Sequence, residues 1–226
     1  MRLTKTKLLA IAVTLIVVSS LLTVLFFESQ MHPGISYPIR VACVGDSITE
    51  GTDYPMDLQE LLGDNYTVGN FGVGDSTVLL DTEKPWMYQT EFQSARRFLP
   101  NVVIIMLGTN DARPDYYMHI DEFVDDYREL VGEFEALGES KPRIWLVKPP
   151  PILNDSLGPT NANLIEGVIP RIQEVAEELN LPVIDVYNAL ANHADYFSDD
   201  GVHPNRAGAE VIAAQVYSAI KQTMLS

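Results

Sequence analysis

Six consecutive apolar residues, Val102 to Leu107 (VVIIML), admit few folds. They are mostly β-branched and show no alternation of apolar with polar residues. A strand of that kind is buried on both faces, which places it inside a parallel sheet covered by helices on each side. Shorter strand candidates repeat the theme at Arg40–Val44, Tyr66–Asn70, Ile144–Val147 and Pro182–Val186. Helix-spaced segments fall between and after them. Pro55–Leu62 places Met56, Leu58, Leu61 and Leu62 at helical spacing, and Phe92–Leu99 runs up to Pro100. Ile120–Leu137 carries a stripe of Phe123, Tyr127, Leu130, Val131 and Phe134. Leu164–Leu179 follows, with a bend expected near Pro170, and Ala207–Ile220 closes the chain. This alternation predicts an α/β fold: a three-layer αβα sandwich around a five-stranded, mainly parallel sheet. In such sheets, sites form beyond the carboxyl ends of the strands.

The 226 residues suit one domain of ordinary size, and 46% hydrophobic with 20% charged residues excludes a disordered chain. The formal charge of -16 argues against nucleic-acid binding, which needs a basic footprint. The lone Cys43 excludes an intramolecular disulfide and any cysteine-rich metal site. Neither repeats nor low-complexity runs occur. In front of the globular body, Leu8–Phe27 reads LLAIAVTLIVVSSLLTVLFF, 20 residues without a charge. As a helix it would span about 30 Å, the hydrocarbon thickness of a bilayer. Arg2, Lys5 and Lys7 precede it and Glu28 follows, so the remainder is expected outside the cytoplasm. Residues 1–28 are read as a signal-anchor or transmembrane segment, 29–38 as a linker and 39–226 as the globular domain. The alternative is a cleaved signal that yields a secreted protein; the apolar run exceeds the usual signal core and no small-x-small site ends it.

The loops that follow the strands carry the chemistry. After the first strand comes Gly45-Asp46-Ser47-Ile48-Thr49-Glu50-Gly51, and after the second Asn70-Phe71-Gly72-Val73-Gly74-Asp75-Ser76. Gly108-Thr109-Asn110-Asp111 follows the third strand, and Asp200-Gly201-Val202-His203 precedes the final helix. Each block alone is weak evidence, since a serine after a strand is more often a helix cap than a nucleophile. The four together, in this order and at these positions, are far more specific. They resemble the SGNH family of serine hydrolases, the GDSL-like lipases and acylhydrolases, over most of Ile39–Ile220. The resemblance implies a flavodoxin-like αβα sandwich and assigns the four family residues to Ser47, Gly74, Asn110 and His203. Gly72 shares the turn; Gly74 is preferred because it precedes Asp75 in the family's G-D-[ST] pattern. The D-x-x-H spacing of the pattern favours Asp200 over Asp199 as the acid.

The residues support the same chemistry on their own terms. A serine hydroxyl is a poor nucleophile until a base takes its proton. Asp200 lies where it can fix one nitrogen of His203, leaving the other for Ser47. The Ser47 and Gly74 N–H groups and the Asn110 amide are the candidate oxyanion donors. A strand order of 2-1-3-4-5 would let three loops converge on Ser47. Asp46 reads as a turn or capping residue and Asp111 as a support for the asparagine loop. His32 lies in the linker, His119 at a helix start and His193 near the last loop. Cys43 reads as core. The nucleophile is not in a G-x-S-x-G elbow, and neither H-E-x-x-H nor G-x-x-x-x-G-K spacing occurs, so no metal and no cofactor are expected.

For the substrate, Trp86, Met87, Tyr88, Tyr116 and Tyr117 either line a sugar-binding cleft or pack over the sheet edge. With the run Lys148-Pro149-Pro150-Pro151-Ile152, the pattern is similar to family members acting on acylated carbohydrates, the sialate O-acetylesterase-like proteins among them. The expected partner is a glycan or small-molecule ester, with the membrane engaged only through the N-terminal helix. A lysophospholipase or thioesterase is the alternative activity, and a non-catalytic glycan-binding module the third.

Overall fold

The computed structural model describes residues 18–20, 23, 38–138 and 142–224. The chain divides into two units, Met1–Tyr37 and Pro38–Ser226. Of the first, residues 18–20 and 23 are helical and exposed; the rest of the apolar run lies outside the described residues. No helix among the described residues is long and apolar enough to cross a membrane.

The second unit is built on five parallel strands, β1 (Ile39–Gly45), β2 (Tyr66–Gly72), β3 (Val102–Met106), β4 (Arg143–Lys148) and β5 (Val183–Asp185). Their order across the sheet is β2-β1-β3-β4-β5, the order of the flavodoxin-like fold that the resemblance implies. All five residues of β3 are buried, which explains the unbroken apolar run. Successive side chains leave opposite faces of each strand. On one face Ala42, Val44, Val103, Ile105 and Leu146 meet the helices Thr90–Arg97, Phe123–Glu135 and Ile169–Leu179. On the other, Val41, Cys43, Ile104, Met106 and Trp145 meet Tyr54–Leu62 and Arg206–Met224. Two cores therefore sandwich one sheet.

The segment expected as one bent helix, Leu164–Leu179, is more structured than a bend. Residues Leu164–Val168 form a π turn that leads into the helix Ile169–Leu179. Pro170 has no N–H and its ring would clash with the carbonyl four residues earlier. The wider turn absorbs that clash. Gly167 in the π turn lets Tyr117 approach so closely that an added methyl group would meet its hydroxyl at 2.3 Å. Ile120–Leu137 likewise opens with a single 3₁₀ turn, Ile120–Glu122, before the α-helix begins at Phe123.

Phe123 is fully buried and packs edge-to-face on Tyr127 at 5.5 Å between ring centroids. Replacing it with alanine removes a large core side chain from the helix that covers β3. Urea titration of Phe123→Ala is expected to show a loss of ~3–5 kcal/mol with an unchanged m-value.

Candidate active site

The register of the sheet brings the loops together. Gly45, the last residue of β1, lies opposite Gly72 on β2 and Met106 on β3. Three loops therefore leave the sheet side by side. Gly45 is tightly enclosed: a methyl group there would meet the Thr49 hydroxyl at 2.0 Å and the Met106 carbonyl at 2.7 Å. Asp46 is the N-cap of the five-residue helix Ser47–Gly51, its side chain accepting from the Ile48 N–H at 2.9 Å. Ser47 is the first helical residue, and helix geometry leaves its N–H without an intrahelical carbonyl.

The Ser47 Oγ lies 2.9 Å from His203 Nε2. On the other side of the ring, His203 Nδ1 lies 3.0 Å from Asp200 Oδ2. The remaining Asp200 oxygen accepts from the backbone N–H groups of Val202 and His203, both at 2.8 Å. Partial burial works to raise the Asp200 pKa, but these two N–H groups and the His203 ring outweigh it and hold the carboxyl below its ordinary value. An ionised Asp200 is an acceptor only, so Nδ1 carries the proton and Nε2 presents its lone pair to Ser47. The turn is tight at Gly201, where φ is +70° and an added methyl group would meet Asn154 Cβ at 2.8 Å. Asp199 is exposed, whereas Asp200 meets the imidazole. Asn205, which sequence reasoning passed over, braces the loop: its Nδ2 donates to the Asp195 and Phe197 carbonyls and its Oδ1 accepts from Ala207 and Gly208. An asparagine just ahead of a helix is the capping signal that marks it.

Of the expected oxyanion donors, Gly74 lies beside Ser47. A methyl group at Gly74 would sit 3.8 Å from Ser47 Cβ. Gly72 instead abuts the Glu50 backbone N–H at 2.1 Å from its hypothetical Cβ, and its own N–H is held by Asn70 Oδ1 at 2.9 Å. The two glycines thus differ in their surroundings: Gly72 packs on the backbone of residue 50 and Gly74 faces Ser47 Cβ. The Gly74 N–H donates to the Glu50 carboxylate at 2.7 Å, a contact no sequence pattern signalled. Asn110 is buried and its Nδ2 donates to the Ser76 carbonyl at 3.0 Å, leaving its second amide hydrogen. Asp75, between Gly74 and Ser76, adopts φ +62°, a left-handed conformation that costs a non-glycine residue about 1 kcal/mol or more.

Below the nucleophile lies a buried polar layer. Asp111 accepts from the N–H groups of Val78 and Leu79, tying the glycine loop to the asparagine loop. Burial pushes its carboxyl up to about 7, against the pull of those two N–H groups. Burial likewise pushes Asp46 up to about 6, against the Ile48 N–H. Ser76 Oγ is buried without a hydrogen-bond partner, and the Asp46 carboxylate and the Thr109 hydroxyl face each other in the same layer. The remaining candidates fall elsewhere. His193 is exposed and stacks on Tyr196 at 4.5 Å, His119 is half-buried with Nδ1 3.8 Å from Asp81, and His32 lies outside the described residues. Cys43 is fully buried, which pushes its thiol up to about 12. Trp86 is core, its indole N–H donating to the Phe71 carbonyl at 3.0 Å. Tyr116 is half-buried beneath the Arg113 guanidinium, and Tyr88 alone of these aromatics is largely exposed.

Residues 43–211 match the model of the GDSL-like lipase/acylhydrolase family. An acetylxylan esterase of Xylanibacter ruminicola is 35% identical over 207 residues, 81% of this chain and 43% of that protein. A GDSL esterase/lipase of Oryza sativa is 21% identical over 54% of each chain. The chain spans about half the length of the curated relatives it matches. Among solved structures, an aryl esterase of M. smegmatis aligns with a TM-score of 0.65 at 20% identity, covering 81% of this chain and 99% of that one. A carbohydrate acetylesterase of Sinorhizobium meliloti aligns with a TM-score of 0.63 at 18% identity, covering 82% and 99%. Both likenesses concern the fold.

Asp111 has a direct consequence for stability. An unfolded aspartate loses its proton near 3.8, whereas the folded protein holds this one to about 7. Between those values the folded state binds more protons, so the contribution is fully present below 3.8 and is lost as the pH rises through about 7. In Asp111→Asn the Oδ1 acceptor remains and the titration disappears. Urea midpoints of the variant are expected to decline less between pH 4.5 and 7.5 than those of the parent.

Proposed function

The chain belongs to the GDSL-like lipase/acylhydrolase family, and we propose that it is a serine esterase that removes acetyl or other short acyl groups from carbohydrates through an acyl-Ser47 intermediate. The observation that carries the reading is the continuous hydrogen-bonded chain from Ser47 Oγ through the His203 ring to Asp200, at 2.9 and 3.0 Å. The acetylxylan esterase relative motivates the choice of carbohydrate acetyl esters.

The steps follow from the geometry. His203 Nε2 takes the proton of Ser47 as Oγ adds to the ester carbonyl carbon. The carbonyl oxygen becomes an oxyanion, met by the N–H groups of Ser47 and Gly74 and the free amide hydrogen of Asn110. Asp200 holds the ring in place and stabilises the imidazolium. The C–O bond to the sugar then breaks, and the leaving oxygen takes the proton from Nε2. A water molecule enters, gives a proton to Nε2 and adds to the acyl carbon. Ser47 Oγ leaves with that proton, and the acid product loses its own proton to solvent. Only the neutral imidazole can act as the base.

The same proposal places residues 8–27 as the element that holds the catalytic unit at the outer side of a membrane, or that directs its secretion if cleaved. The basic residues Arg2, Lys5 and Lys7 on one flank support that orientation.

A fluorophosphonate probe is expected to add to Ser47, read by peptide mass spectrometry, and an adduct on another residue refutes the assignment. Asp200→Asn is expected to lower kcat by about 10⁴-fold, because the ring loses the partner that fixes its tautomer. A p-nitrophenyl ester series tests the acyl preference: acetate is expected to turn over faster than octanoate, and the reverse order supports a lipid-directed acylhydrolase instead.

A further inference from the structure

One of the donors needed by the oxyanion is already occupied. The Gly74 N–H points at Glu50 Oε2, 2.7 Å away and exposed to solvent. A methyl group on Gly74 would lie 2.8 Å from that oxygen and 3.8 Å from Ser47 Cβ. The carboxylate and Ser47 Cβ thus both lie beside Gly74.

The loop does not need this carboxylate to keep its place. Asn70 Nδ2 donates to the Thr49 and Glu50 carbonyls at 2.8 and 3.4 Å. Gly72 packs against the backbone of residue 50 so closely that no side chain fits between them. The Val73 N–H donates to the Gly45 carbonyl at 3.0 Å. Backbone and amide contacts thus fix residue 50 and the turn, while the carboxylate is a solvent-exposed extension. Beside it opens a hollow of about 430 Å³, lined in part by Thr52, Met56, Gln59 and Val68, which gives a displaced side chain room to swing away.

We propose that Glu50 is an internal anion that closes the Gly74 donor in the free enzyme, yields to the oxyanion, and returns to drive out the carboxylate product. The proposal deepens the acyl-Ser47 reading and rests on it. An arriving ester carbonyl is neutral, and its oxygen gains charge only as Ser47 adds. The developing oxyanion is then strong enough to take the N–H from Glu50. Cleavage of the acyl-enzyme by water leaves acetate, a carboxylate suited to the same donors. Glu50 competes for Gly74 at the high effective concentration of a tethered group, and its charge repels the product at close range. Carboxylate-bearing ligands are disfavoured for the same reason, and neutral esters are favoured.

The test compares the full-length parent with Glu50→Gln and Glu50→Ala. Acetate inhibition of p-nitrophenyl acetate hydrolysis is measured at constant ionic strength. If Glu50 holds the donor nine-tenths of the time, the acetate inhibition constant drops about tenfold in Glu50→Ala, with Glu50→Gln between it and the parent. The value of kcat/KM rises in the same order. Acetate titration of ¹⁵N-labelled protein, followed at the Gly74 amide resonance, reads the same competition without turnover. Equal acetate constants in all three proteins overturn the proposal. So does a fall in kcat/KM for Glu50→Ala with full recovery in Glu50→Gln, which makes the contact a brace for the turn. Should the fluorophosphonate leave Ser47 of the parent unlabelled, the esterase reading fails, and the Gly74 titration still decides the role of Glu50.

Discussion

Parallel pairing at the end of β1 sets the terms for everything above it. Gly45 lies in register with Gly72 on one side and Met106 on the other. The central position of β1 lets the loops of its two neighbours rise beside its own. A side chain at residue 45 would collide with both the Thr49 hydroxyl and the Met106 carbonyl, so the turn into Ser47 closes only on glycine. The loops that carry Ser47, Gly74 and Asn110 thus leave the sheet side by side through backbone geometry, before any side chain is placed. The histidine arrives independently, carried by the turn ahead of the last helix.

Much of this was legible in local pattern. An apolar run such as VVIIML has one good home, and β3 is buried along its whole length. Three of the four loop blocks lie at the ends of β1, β2 and β3, which the sheet order makes neighbours, and the fourth lies in the turn ahead of the last helix. Partners distant in sequence were harder to read. Asp111 reaches across to Val78 and Leu79, and Glu50 reaches Gly74, but the spacing of apolar residues carries no information about either contact. Trp86 was left open between sugar platform and core, because an aromatic residue in a loop has the same local signature in both roles. Its indole N–H finds the Phe71 carbonyl and the ring is wholly buried, so packing decides. The π turn before Pro170 was visible only as a helix that proline would disturb.

The polar layer beneath Ser47 works against stability. Asp46 and Asp111 are fully buried, and Ser76 Oγ lacks a partner, each an unfavourable burial. Their bonded oxygens nevertheless cap the nucleophile helix and tie two loops together. The two well-packed cores on either face of the sheet offset that cost.

The two hydrogen bonds of the imidazole differ greatly in their span along the chain. Asp200 and His203 are three residues apart on one turn, whereas Ser47 and His203 are separated by 156 residues. Acid and base thus behave as a cassette that moves as a unit. Fraying of the carboxyl-terminal helix or slippage of its anchoring turn would leave the carboxylate and ring together and part only the ring from the hydroxyl. The gap between positions 47 and 203 is the soft coordinate of the site, and a gauge of whether the first and last thirds of the chain have joined.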